Sequence, residues 1–395
     1  LDVFIIYLIS GVISALLILF SAITSRRKAI KEIKKHLSMQ EAPFKEPYKQ
    51  STPSTVSGIT SGESKLLLES TRNVIRKLSS PLIIGLDEIS SLRTRTLRGL
   101  VSGYGCVDSR TFKANLSRLV APSGFEGSWE CCLLGCGGLS CAYLCSRGDE
   151  KIVFKVPRGL ESIIEEIGEM PTIHMGAAER TKREAEIVAK LEHPNILRLL
   201  GASENVPLLV YEYADNGTLY WQLKNGWKPS LRDIVLLGIQ LGDALRYIHS
   251  RGMIHGDVKP GNIYIKGGVS KLGDFSSIAK LITLTSIREI PYTIGYRTPE
   301  QVYSEIAKRA KEFGLENRID IYQLGNTLLY LLIGETIDGE EAVNEKIVRE
   351  RLEKIQNNEL RIIIERMLAL EPERRPSAEE LVKLLYEVWN SLSEK

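Results

Sequence analysis

One octapeptide constrains this chain more than any other stretch: His-Gly-Asp-Val-Lys-Pro-Gly-Asn, His255 to Asn262, followed twelve residues later by Asp274 in Asp-Phe-Ser. A surface loop has no structural reason to adopt this spacing. It supplies a carboxylate, a lysine, an amide and a second carboxylate in the order that moving a phosphoryl group requires. Asp257 can orient an attacking hydroxyl and accept its proton, and Lys259 can neutralise charge on a γ-phosphate. Asn262 and Asp274 offer hard oxygen ligands for Mg²⁺, and Mn²⁺ suits the same donors.

Phosphoryl transfer also needs a cover for the phosphates and a cation beside them. Gly135 and Gly137 open a Gly-x-Gly-x-x-Ser loop that ends at Ser140, between two β-rich runs. Glycine lets backbone N–H groups come close to phosphate, although such a loop taken alone is more often just a hairpin turn. The strand Ile152 to Val156 follows and carries Lys155 among apolar neighbours. A lysine in a buried strand is costly unless paired. Its natural partner is Glu184, on a charged helical stretch from Arg180 to Leu191, with Glu186 a rival on the same stretch.

In this succession the chain resembles the eukaryotic-type protein kinase family, over about residues 125–390. The resemblance implies an α+β, bilobal fold with a β-rich smaller lobe and a helical larger lobe, ATP and Mg²⁺ as cofactors, and protein substrates. By motif position, Lys155 pairs with Glu184 and contacts the α- and β-phosphates, and the nine-residue interval from Glu184 to His193 matches the family. Gly135, Gly137, Ser140 and Ala142 then cover the nucleotide. Leu-Val-Tyr-Glu-Tyr-Ala resembles the last small-lobe strand and the hinge, with Tyr211 as gatekeeper and Glu212 to Ala214 meeting the adenine. Tyr-Arg-Thr-Pro-Glu ends at Glu300, whose usual partner resembles Arg375; Asp320 resembles the aspartate that braces the catalytic loop, and His255 resembles a packing residue of the regulatory spine.

Three departures matter. Gly256 stands where many relatives carry an arginine that binds a phosphorylated activation loop, so control by loop phosphorylation is expected to be weak. This glycine resembles the non-arginine branch of the family, and the hinge with its tyrosine gatekeeper resembles the Pelle and receptor-like group. Ser276 replaces the glycine after Asp-Phe, and Ser140 the third loop glycine, but no charge or ligand is lost. Lys259 and Thr293, the latter three residues before Tyr296, resemble the Ser/Thr-specific branch. Gly261 and Thr218 fill positions where basophilic relatives carry acids. A pseudokinase scaffold and a small-molecule kinase remain the other readings. The intact set of core residues weighs against the first, and the long activation segment against the second.

Val3 to Thr24 carries no charge over 22 residues, enough to cross a hydrocarbon core of about 30 Å as a helix. Arg26, Arg27, Lys28, Lys31, Lys34 and Lys35 follow, so the positive-inside rule puts the C-terminal side in the cytoplasm. A cleaved signal peptide would want basic residues before a shorter core. A single-pass transmembrane helix over 3–24 is therefore expected, with a basic juxtamembrane segment at 25–37, lipid contact through residues 3–35, a flexible linker at 38–64, and a cytoplasmic kinase domain. Almost nothing precedes the span, so no ligand-binding ectodomain is expected; Leu1 in place of Met reads as either a truncated sequence or a non-standard initiation codon. Residues 65–124 match no known module; they read either as a regulator docked on the kinase or as a separate unit.

A net charge of +3 with ordinary composition gives no reason to expect nucleic acid as a partner, and oligomeric state is left open. Six cysteines lie between Cys106 and Cys145 without the paired spacing of a zinc site. In the cytoplasm they are expected to pack as free thiols. Ile163, Ile164, Ile167 and Met170 after Lys155 read as a covering helix or a docking insert.

Overall fold

Buried and partly exposed residues alternate along Ser140–Arg147, turning Cys141, Tyr143 and Cys145 inward, as in a strand with one face on a core. The computed structural model describes residues 89–392 apart from 108–109, 118–119, 162–163 and 165–174. The expected membrane span, basic segment and linker, and most of the insert after Lys155, lie outside the described residues. Among the described residues no helix is long and apolar enough to cross a membrane. Of the insert, Ile164 is described and is buried.

The smaller lobe is one antiparallel sheet. Its strands are β1 (Phe112–Leu116), β2 (Gly127–Cys136), β3 (Ser140–Arg147), β4 (Glu150–Pro157), β5 (Leu199–Ala202) and β6 (Leu209–Glu212), in the order β1-β2-β3-β4-β6-β5. Helix α1 (Met175–Val188) packs on it. Trp129, Tyr143 and Phe154 fill the inner face, and the Trp129 indole donates to the Phe125 carbonyl at 2.9 Å.

The larger lobe follows as α2 (Leu219–Lys224), α3 (Leu231–His249), β7 (Met253–Ile254), β8 (Ile263–Lys266), β9 (Val269–Leu272), β10 (Ala279–Lys280), α4 (Pro299–Val302), α5 (Ser304–Glu312), α6 (Arg318–Ile333), α7 (Glu345–Leu352), α8 (Asn358–Met367) and α9 (Ala378–Ser391). A reciprocal cap starts α3: the Ser230 hydroxyl accepts from the Asp233 N–H at 3.1 Å, and the Asp233 carboxylate accepts from the Ser230 N–H at 3.0 Å. Ile234, Leu237, Leu241, Leu245 and Ile248 recur at helical spacing and are all buried, against α6 and α9.

Residues 89–107 run as a strap along the larger lobe. The Arg93 guanidinium meets Asp243 at 2.6 Å, and the Gln240 amide donates to the carbonyls of Leu92 and Arg95 at 2.9 and 2.7 Å. The Trp227 indole donates to the Arg98 carbonyl at 2.8 Å. Beyond the strap, β1 adds an edge strand to the small-lobe sheet. The packed unit therefore begins well before residue 125.

The cysteines differ from expectation. They form three disulfides, Cys106–Cys132, Cys131–Cys145 and Cys136–Cys141, with no free thiol among the described residues. Strand register brings two of these pairs together: Cys131 faces Cys145, and Cys136 faces Cys141, directly across the β2–β3 ladder.

Candidate active site

The sheet delivers the first charged group. Lys155 lies mid-strand on β4, opposite Ala142 of β3, which in turn faces Gly135 at the start of the glycine loop. Gly137 and Ser140 close that loop, the Gly137 N–H donating to the Ser140 carbonyl at 2.8 Å. The Lys155 ammonium donates to both Glu184 oxygens, at 2.8 and 3.1 Å, and to Asp274 Oδ1 at 2.9 Å. Glu184 is buried on α1, whereas Glu186 is exposed. Burial alone would lower the Lys155 pKa, but the Asp274 and Glu184 carboxylates outweigh it and hold the ammonium charged far above neutral pH. Burial opposes the charge on Asp274 too, yet Lys155, and then Ser276, hold its carboxyl well below the usual carboxylate range.

Among the described residues Asp274 is the one non-glycine with positive φ, at 55°. Such a conformation costs on the order of 1–3 kcal/mol and persists where the surroundings impose it. Here Phe275 does so: it is fully buried and meets the His255 ring edge-on at 5.0 Å.

The loop from His255 to Asn262 hangs from α6. Asp320 accepts from the main-chain N–H groups of His255 and Gly256 at 2.9 and 2.8 Å, and its third contact is His249 at 2.8 Å. Gln323, one turn on, accepts from the Val258 N–H and donates to the Gly256 carbonyl, both at 2.9 Å. Gly256 has φ +84°, and a Cβ there would stand 2.7 Å from Ile290 Cγ2. The missing arginine thus has a local cause in backbone and space.

Thus braced, the loop presents a compact polar cluster. Lys259 donates to Asp257 Oδ2 and to the Thr293 hydroxyl, each at 2.6 Å. The Thr293 hydroxyl donates in turn to Asp257 Oδ1 at 3.1 Å. Asn262 donates its amide N–H to the main-chain carbonyl and Oδ2 of Asp257, both at 2.8 Å, which leaves its carbonyl oxygen as the atom for a metal. Further out, Arg375 and Glu300 form a fully buried two-point pair, at 2.6 and 3.1 Å, that fixes the end of the activation segment.

Two side chains of β6 have partners of their own. The Glu212 carboxylate is held by Lys266 at 2.7 Å, Lys271 at 3.0 Å and the Arg198 N–H at 2.9 Å. Those contacts, with burial opposing them, lower its pKa. Ala214, its neighbour in the hinge, is buried. Tyr211 does more than fill space, since its hydroxyl donates to Glu184 Oε1 at 2.7 Å. Sequence spacing gave no sign of that contact, nor of Gln323.

With the geometry in place, comparison with known proteins agrees. The protein kinase domain model matches residues 131–386. The chain belongs to the protein kinase family. It is similar to a serine/threonine-protein kinase pkn2 of Myxococcus xanthus, 34% identical over 51% of this chain and 24% of that protein. It is also similar to a Wee1-like protein kinase of Arabidopsis thaliana, 30% identical over 52% of this chain and 41% of that one. A serine/threonine-protein kinase PknJ of Mycobacterium tuberculosis is 30% identical over 55% and 36%. The chain spans less than half the length of these curated relatives.

Proposed function

We propose that this kinase-family chain transfers the γ-phosphoryl group of ATP to serine and threonine hydroxyls of proteins. The observation that carries this reading is Thr293 bridging Asp257 and Lys259. A hydroxyl already donates to Asp257, as an acceptor side chain would, with an ammonium beside it for the transferred charge. Asp257 orients the acceptor hydroxyl and takes its proton; Lys259 stabilises the phosphoryl oxygens; Lys155, held by Glu184, positions the α- and β-phosphates. The Asp274 carboxylate, kept ionised, and the Asn262 carbonyl oxygen suit Mg²⁺, which would neutralise charge on the phosphates. Tyr220, Pro260, Ile294, Tyr296 and Tyr330 line a groove beside Lys259 that suits an extended polypeptide. The test is transfer from radiolabelled ATP to a generic protein substrate. Asp257→Asn and Lys155→Met should each abolish it; transfer undiminished in both variants overturns the assignment.

A scaffold that binds nucleotide without turnover is the alternative, and the complete set of paired charges argues against it. We further propose, from the apolar run at 3–24 and the basic residues after it, that the chain is anchored in a membrane with its kinase lobes on the cytoplasmic side. Alkaline extraction of membranes should leave it in the pellet; release into the supernatant contradicts the anchor.

A further inference from the structure

The strap that precedes the sheet crosses from one lobe to the other. At its lower end Val101 exchanges two hydrogen bonds with the Gln222 side chain on α2, at 2.8 and 2.9 Å. At its upper end the Val107 N–H donates to the Leu133 carbonyl at 2.8 Å, and Cys106 is joined to Cys132, both on β2 just before the glycine loop. Between these ends lies Ser-Gly-Tyr-Gly, residues 102–105, beside the segment that links the lobes. Strand β1 pairs with β2 only as far as Cys131. The strap therefore takes the remaining outer edge of the strand that roofs the nucleotide cleft.

Tyr104 is the side chain this strap contributes. Its carbonyl accepts from the Tyr213 hydroxyl at 2.8 Å, and its ring lies nearly parallel to that of Tyr213, with centroids 6.2 Å apart. Trp221 of α2 meets it edge-on at 5.3 Å. Below, it rests on Gly217, where a Cβ would stand 2.5 Å from the ring; Gly217 has φ +71°, so the linker is shaped to admit this ring and little else. Burial and Tyr213 push the Tyr104 hydroxyl pKa up to about 12.

We propose that Tyr104 is the outer wall of the nucleotide pocket, a binding residue that packs against the base end of the bound nucleotide. This rests on the assignment of the cleft as an ATP site. Aromatic faces hold bases by stacking without reading their identity, and the strap brings such a ring to Tyr213 and Gly217 of the segment that links the lobes.

The experiment is binding of MgATP and of magnesium tripolyphosphate to the full chain by calorimetry, for wild type, Tyr104→Phe and Tyr104→Ala. Tyr104→Phe should match wild type for both ligands. Tyr104→Ala should bind MgATP about tenfold more weakly and tripolyphosphate unchanged. A merely structural role moves both ligands together, and that result overturns the proposal, as does unchanged MgATP affinity. Tighter MgATP binding overturns it as well, because the strap would then be a plug. In a second arm, Tyr104→Cys should be shielded from a maleimide by MgATP while Ser102→Cys, exposed on the same strap, is not; equal labelling with and without nucleotide contradicts the wall. Failure of the underlying assignment has a different signature: wild type would not bind MgATP, or Lys155→Met would bind it equally well.

Discussion

Asp257 and Asp274 face the same cleft but are held for different work. Asp257 is surrounded by donors, Lys259, Thr293 and Asn262, which fix its orientation toward a hydroxyl. Asp274 is held ionised by a buried lysine, and this has a consequence for stability. Its folded pKa lies below the ordinary value of 3.8, so in acid the unfolded chain takes up the proton first. The stabilisation is therefore present above about pH 4 and is lost as pH falls toward the folded value. Chemical denaturation between pH 5 and about pH 3 should show a shallower loss of stability in Asp274→Asn than in wild type; parallel curves contradict the pairing. Thr293→Ala should leave the fold intact and lower phosphoryl transfer about tenfold, read as kcat at saturating ATP. Arg375→Ala strands a fully buried Glu300 and should cost about 3–5 kcal/mol, measured by urea unfolding. These charged residues were legible in the sequence because their order and spacing carry the chemistry. The Tyr211–Glu184 bond was not, because it joins positions 27 residues apart with no local pattern.

Among the elements, α6 is what the catalytic loop depends on. Asp320 and Gln323 sit one turn apart on its buried face and together hold four main-chain groups of residues 255–258. Asp320 was readable from its motif, whereas Gln323 became visible only when the helix was placed beside the loop. Gln323→Leu should leave the Val258 N–H and Gly256 carbonyl unpaired, costing about 1–3 kcal/mol and slowing transfer more than it weakens ATP binding. Equal kcat in variant and wild type argues against this bracing role. Strands β2 and β3 teach a related lesson. Reading Cys131, Cys136, Cys141 and Cys145 as independent packing thiols overlooked that a hairpin places residues opposite one another. Peptide mapping of air-oxidised protein without reduction should recover all three pairs, although a cytoplasmic location would keep the same cysteines reduced; six free thiols after oxidation contradict them.

At the scale of the molecule, the two lobes are joined twice, once by the linker after Tyr211 and once by the strap at 101–107. The sequence showed the linker, through its match to a family hinge, and left residues 65–124 without a module. The reason is physical. The described part of that stretch, from Ile89 on, has little pattern of its own because its partners, Asp233, Gln240 and Asp243 on α3 and Gln222 on α2, lie more than a hundred residues away. Its hydrogen bonds to Gln222 and Leu133 tie it to both lobes. The central claim, that this cleft phosphorylates serine and threonine, is tested most directly by phosphoamino-acid analysis of a protein substrate labelled by the purified full chain with radiolabelled MgATP. The account predicts label in phosphoserine and phosphothreonine, none in phosphotyrosine, and none at all with Asp257→Asn. Label confined to phosphotyrosine, or no label from wild-type protein that binds MgATP, would contradict it.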